Sequence, residues 1–164
     1  MRRKAPRELI SHWYHLVDNL QASSKEFYVT VESALKTRQI PDISVSRVDW
    51  SEGGVFSAKR EYLRIIRKDL VFDICAAPFG RGFFFSWWLG ERPRGCLGMF
   101  FAIPIFGPLL EYIFRRVTYY SIDTALMFQE SVSKTVNDMV DELTTAKGLR
   151  VLTELEKKPI MRGF

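Results

Sequence analysis

Two cysteines, Cys75 and Cys96, are too few for a disulfide framework. Each sits among apolar neighbours, which fits two small buried thiols in a reducing compartment. Histidine is equally scarce, at His12 and His15. With Glu8 these fall at i, i+4 and i+7 of an expected helix, but no third histidine or nearby cysteine completes a ligand set, so no metal is expected. No G-x-S-x-G elbow surrounds any serine, and the nearest thing to an activating charge on a thiol is Arg94, close to Cys96. Gly80-Arg81-Gly82 has the look of a phosphate loop, yet an aromatic strand follows where a helix N-terminus would be needed. Neither enzyme activity nor a cofactor is therefore expected. The opening residues, MRRKAPRELI, lack the apolar run of a secretory signal, so the chain is expected to begin in the cytoplasm.

What the chain does hold is unevenly placed. Its 164 residues suit one domain with a real core. Most of its thirteen Phe and four Trp fall between Phe72 and Phe114. Residues 59–116 carry ten basic and five acidic side chains while the flanking segments are nearly neutral, so the net charge of +5 lies in the same stretch. Basic charge beside exposed aromatics suits an anionic lipid surface. Single-stranded nucleic acid uses the same two ingredients.

Within that stretch, Cys96–Phe114 reads CLGMFFAIPIFGPLLEYIF, with no charge before Glu111. As a straight helix it would reach roughly 28 Å, about a bilayer core. Pro104, Gly107 and Pro108 interrupt it where a straight helix tolerates them least. Arg92 and Arg94 precede it and Arg115 and Arg116 follow, so a single span would break the positive-inside rule at one end. A re-entrant apolar hairpin satisfies both ends and is the expectation here. Glu111, one helical turn before Arg115, reads as interfacial.

The fold class expected is α+β in one domain. Residues 1–41 form an N-terminal helical hairpin: Leu9, Trp13, Leu16 and Leu20 recur at helical spacing, Ser23 and Glu26 make a capping box, and Phe27, Val31 and Leu35 line a second helix that stops before Pro41. Residues 42–90 form an antiparallel meander, with strands from Ile43 to Trp50, Val55 to Arg67 (bulged near Ser57-Ala58), Leu70 to Ala76 and Phe83 to Leu89, and turns at Ser51–Gly54, Lys68-Asp69 and Pro78–Gly82. Residues 91–116 are the apolar hairpin. Residues 117–164 hold the last strand (Arg115–Tyr120 alternates) and a long amphipathic helix. That helix is capped by Ser121 or Asp123, striped by Ala125, Phe128, Val132, Val136, Met139 and Leu143, and closed by Gly148. Trp87 and Trp88, consecutive on a strand, must point to opposite faces, so at least one leaves the core.

These features point to a membrane-associated binding or scaffold protein of the cytoplasmic face. The expected membrane or partner contacts are Phe84, Trp87, Trp88, Phe100, Phe101, Ile103, Ile105, Phe106, Leu109 and Leu110. Arg81, Arg92, Arg94, Arg115 and Arg116 would meet anionic headgroups, and the helices would serve a protein partner or self-association. A second reading is a soluble subunit of an obligate oligomer that buries 96–114 at its interface. Single-stranded nucleic-acid binding through Arg60, Tyr62 and Arg64 ranks last.

Overall fold

The structure, a computed structural model, describes residues 8–51, 59–92 and 118–161. Along the chain these form β1 (Glu8–Val17), α1 (Ser24–Thr37), β2 (Ile43–Ser51), β3 (Lys59–Arg67), β4 (Leu70–Phe79), β5 (Gly82–Glu91), α2 (Tyr119–Ala146) and β6 (Ile160–Met161). The strands make one antiparallel sheet in the order β2-β3-β4-β5-β1-β6. The class is α+β, and β2 to β5 are a meander in which sequence neighbours pair.

The N-terminal helical hairpin is overturned, because its first member is a strand. Residues 8–17 satisfy two periods at once. Leu9, Trp13 and Leu16 fit a helix, whereas Ser11, Trp13, His15 and Val17 alternate with His12, Tyr14 and Leu16 as a strand requires. The long-range partner decides: β1 pairs with β5 from Glu8↔Glu91 to Val17↔Phe83, which sets Trp13 against Trp87. A register shift between Leu9 and Ser11 absorbs one residue, as a bulge does. The expected last strand fails at its C-terminal end for a local reason. Thr118 is the N-cap of α2 and exchanges hydrogen bonds with Ser121, so Tyr119 and Tyr120 lie in a helical first turn. The fifth and sixth strands come instead from the two ends of the described chain. The apolar hairpin at 96–114, with the turn and bulge expected between Glu52 and Ala58, lies outside the described residues. Among the described residues no helix is long and apolar enough to cross a membrane.

Both helices cover one face of the sheet. Ser23 caps α1 through Glu26 N–H, and Phe27, Tyr28, Val31 and Leu35 are its buried side. The α2 helix ends in a Schellman arrangement: Gly148 N–H reaches Thr145 O, Leu149 N–H reaches Thr144 O, and Gly148 takes φ +69°, which favours glycine. Between helices and sheet, Phe27 packs on Phe85, Phe72 on Trp87 and Phe128 edge-on to Phe72, with centroids 4.9, 4.8 and 6.1 Å apart. Val132, Val136, Val140, Leu63 and Ile65 complete this core.

One hydroxyl ties α1 into the sheet. The β3–β4 ladder runs from Arg67↔Leu70 to Leu63↔Ile74 and goes no further. Just beyond that point the Tyr28 hydroxyl accepts from Ala76 N–H (2.9 Å) and donates to Glu61 O (2.8 Å), answering backbone groups that the parting strands leave behind. Burial pushes the Tyr28 phenol well above its ordinary range, so the hydroxyl keeps the proton it donates.

Candidate functional site

The face of the sheet away from the helices carries Phe84 and Trp88, two of the side chains that sequence reasoning singled out for contact. Register arranges them in rows. One row runs Arg64–Asp73–Trp88–His12 across β3, β4, β5 and β1. The next holds Cys75, Ser86 and Tyr14, and the one after it Ala77, Phe84 and Leu16. Phe79 and the Gly80-Arg81 turn close the end of β4 and β5. Gly80 takes φ +58° there. A Cβ on Gly82 would come within 2.8 Å of Val17 O, so the close approach of β1 to this turn requires glycine.

Towards β3 this outer face is polar and closed. Arg64 and Asp73 are 3% and 5% exposed and joined by two parallel hydrogen bonds, Nε to Oδ1 at 2.7 Å and Nη2 to Oδ2 at 2.6 Å. The Trp50 ring lies over the guanidinium, 5.2 Å from its centroid. Beside this pair, Cys75 is buried. Burial raises its thiol pKa, against the opposing pull of the Arg60 charge and of hydrogen bonds with Tyr62, Arg60 and Ser86. Such a thiol stays protonated at neutral pH and is a poor nucleophile. Desolvation likewise raises the Tyr62 phenol.

Towards β1 the same face is aromatic and open. His12 stacks on Trp88 at 4.8 Å and 7°, His12 faces Tyr14 at 6.5 Å, and Tyr14 faces Phe84 at 6.5 Å. This ladder ends in bare apolar surface: Phe79 is 67% exposed, Tyr14 57% and Leu16 41%. Arg60 and Arg81 are exposed at the same end of the sheet, as is the carboxylate of Asp18 just past β1. Apolar side chains grouped on one face, with cations at the rim, can seat an apolar, anionic surface.

The expected residues part company here. Trp88 and Phe84 are half-buried on the outer face, whereas Trp87 is fully buried on the inner one, its indole against Phe72. Arg81 and Arg92 are both exposed but stand at opposite ends of β5, about 35 Å apart along the strand. Arg94, Arg115, Arg116 and the contacts from Phe100 to Leu110 lie outside the described residues. Sequence reasoning missed Tyr14, Leu16 and Phe79, the first two because a helical reading of residues 8–17 scattered them. That reading also gathered Glu8, His12 and His15, but the strand sends His12 to the outer face and His15 to the inner one, where it stands 3.9 Å from Glu156. Of the trio considered for nucleic acid, Arg64 is committed to Asp73.

No family model matches this sequence, and no curated protein matches it. Among solved structures, TTHA0849 from Thermus thermophilus aligns over 82% of this chain and 97% of its own, at 16% identity and a TM-score of 0.31. At that similarity nothing is carried across.

Proposed function

We propose that this protein is a membrane-associated binding protein whose sheet lies face-on against an anionic leaflet, with the helices turned away. One observation carries the reading. The aromatic ladder Trp88–His12–Tyr14–Phe84 opens into the exposed side chains of Leu16 and Phe79, with Arg60 and Arg81 at the same end of the sheet, on the face that neither helix covers. A face-on pose also lets Arg81 and Arg92 reach the same leaflet, which an end-on pose would not allow. The cytoplasmic leaflet is the anionic one, and an exposed Arg near it contributes about 1 kcal/mol. The apolar composition of residues 96–114 is in keeping with this, although the reading rests on the described face alone.

Sedimentation of the full chain with phosphatidylcholine vesicles, with and without phosphatidylserine, tests it. Binding should rise with phosphatidylserine and fall with salt. Arg60→Ala with Arg81→Ala should weaken it by about 2 kcal/mol, or roughly 30-fold. Phe79→Ser with Phe84→Ser should abolish it while lowering the thermal midpoint by only a few degrees, since Phe79 is exposed and Phe84 half-buried. Binding indifferent to both double variants, or no binding at any lipid composition, would overturn the proposal.

A further inference from the structure

Among the described residues β2 ends the sheet, with β3 as its neighbour on one side and none on the other. Its nine residues pair with β3 without a register break, and Ile43–Ser51 contains neither proline nor lysine. Edge strands that remain solitary are ordinarily shortened, bulged, interrupted by proline or armed with lysine, because their free N–H and C=O groups invite another strand. Among the described residues β2 shows none of these, and the only charged side chains it carries are Arg47 and Asp49. Its charges are also unbalanced. Asp49 stands directly opposite Glu61, a like-charge cross-strand pair that weakens the ladder. Arg47, on the same face, answers Glu61 (3.4 Å) and Glu32 (2.8 Å) and stays 27% exposed. Asp49 is exposed, with no ion pair among the described residues.

We propose that two copies of this chain join edge to edge through β2, antiparallel, with Val48 facing its own counterpart across the two-fold axis. Arg47 of each copy then faces Asp49 of the other. The charges select this register. Centring the pair one residue earlier opposes two guanidinium groups at Arg47, and one residue later opposes two carboxylates at Asp49. Residues directly opposite in an antiparallel pair share a face, so both new ion pairs form on the helix-bearing side and Val48 meets Val48 on the outer side. Each incoming Arg47 supplies the cation that Asp49 lacks among the described residues. The contact is isologous and closes, as a two-fold dimer must. Strand pairing alone buries less than a standard interface, so the dimer should depend on concentration. The inference is independent of the membrane reading.

Light scattering of the full chain over a concentration series is the test, and the wild-type mass should climb towards twice that of the monomer. Asp49→Lys should raise the dimer dissociation constant at least tenfold, since the lysine would meet Arg47 of the second copy. The same lysine faces Glu61 within its own chain, so the thermal midpoint of the dilute monomer should rise. Those opposite signs separate loss of the interface from loss of the fold. Oxidation of Val48→Cys should give a covalent dimer, because facing residues at the axis bring their Cα atoms within disulfide reach, whereas Ser46→Cys should not. A wild-type chain monomeric at every concentration, an unchanged dimer in Asp49→Lys, or cross-linking of Ser46→Cys in place of Val48→Cys would overturn the proposal.

Discussion

The two faces of the sheet are built from alternate residues of the same strands and are held by different physics. In β5, Phe83, Phe85, Trp87 and Leu89 point to the helices and are fully buried, while Phe84, Ser86 and Trp88 point outward. The inner face is held by aromatic packing, and several of its polar groups have long-range partners, although the Trp87 indole N–H has none among the described residues. Tyr28 reaches Ala76 and Glu61, Ser11 donates to Gln129, and the Trp13 indole donates to Glu156 O at 2.6 Å. The outer face is held at its centre by one buried ion pair and thins into half-exposed rings. A face closed by apolar packing tolerates no loss of volume. One closed by an ion pair tolerates loss of both charges better than loss of one.

The sharpest way to break the comparison is to remove Asp73 alone. Asp73→Ala leaves the Arg64 guanidinium buried without its partner, and the expected cost is about 3–5 kcal/mol. Replacing both, Arg64→Met with Asp73→Leu, should return most of that loss, because similar apolar volume needs no desolvated charge. Urea denaturation checks both, provided the slopes agree. A double variant no more stable than Asp73→Ala would mean the pair does more than close the face. On the inner side, Trp87→Ala should cost a comparable 3–5 kcal/mol or so, with no second substitution to rescue it. Its neighbour in sequence, Trp88→Ala, should cost under about 1.5 kcal/mol, since that ring is half-buried on the open face. Equal losses at the two tryptophans would refute the division of the faces.

A smaller effect is expected at Tyr28. Tyr28→Phe keeps the buried ring but strands Ala76 N–H and Glu61 O, at a cost of about 1–3 kcal/mol. Amide exchange of Ala76 should quicken in step with global unfolding or faster. Exchange unchanged from the wild type would show that the hydroxyl is not what holds the parted strands.

How far this division could be read beforehand depends on the distance to the deciding contact. The meander is legible because its signals are local: Lys68-Asp69 breaks one alternation and Pro78–Gly82 the next. The ion pair was legible in principle too. A two-residue turn at 68–69 places Arg64 opposite Asp73 by counting outward, and both fall on the polar phase of their strands. β1 was not legible, since its apolar residues fit either period and the choice is made by β5, some seventy residues away. β6 has two residues and no pattern of its own; it exists because the tail after α2 lies along Ser11 and His12. The open corner of the outer face, with Tyr14, Leu16 and Phe79, appears only once β1 is known to be a strand.

The least of these effects, and the one that separates the faces by pH, lies in the tail that fastens the inner edge. The Glu156 carboxylate accepts two hydrogen bonds from Arg150, at 2.7 and 2.8 Å, and others from Thr153 N–H and Oγ1, while its backbone carbonyl takes the Trp13 indole proton. The Arg150 hydrogen bonds, then those from Thr153, hold this carboxyl far below the usual carboxylate range. A carboxylate with a depressed folded pKa adds stability above its unfolded value of about 4.3, and that stability drains away as pH falls below it. The tail should therefore hold unchanged through neutral and mildly acid pH and loosen only below about pH 4. Because the group is only partly buried, the global thermal midpoint should barely move, and the sensitive readout is exchange of the Trp13 indole proton by NMR. Acid should speed that exchange several-fold before the fold is lost, and Glu156→Gln should speed it at pH 7 and flatten its dependence on acid. Trp88, on the outer face away from Glu156, should show neither response. If both indoles respond alike, acid is acting on the whole sheet and the tail is not a separate fastening.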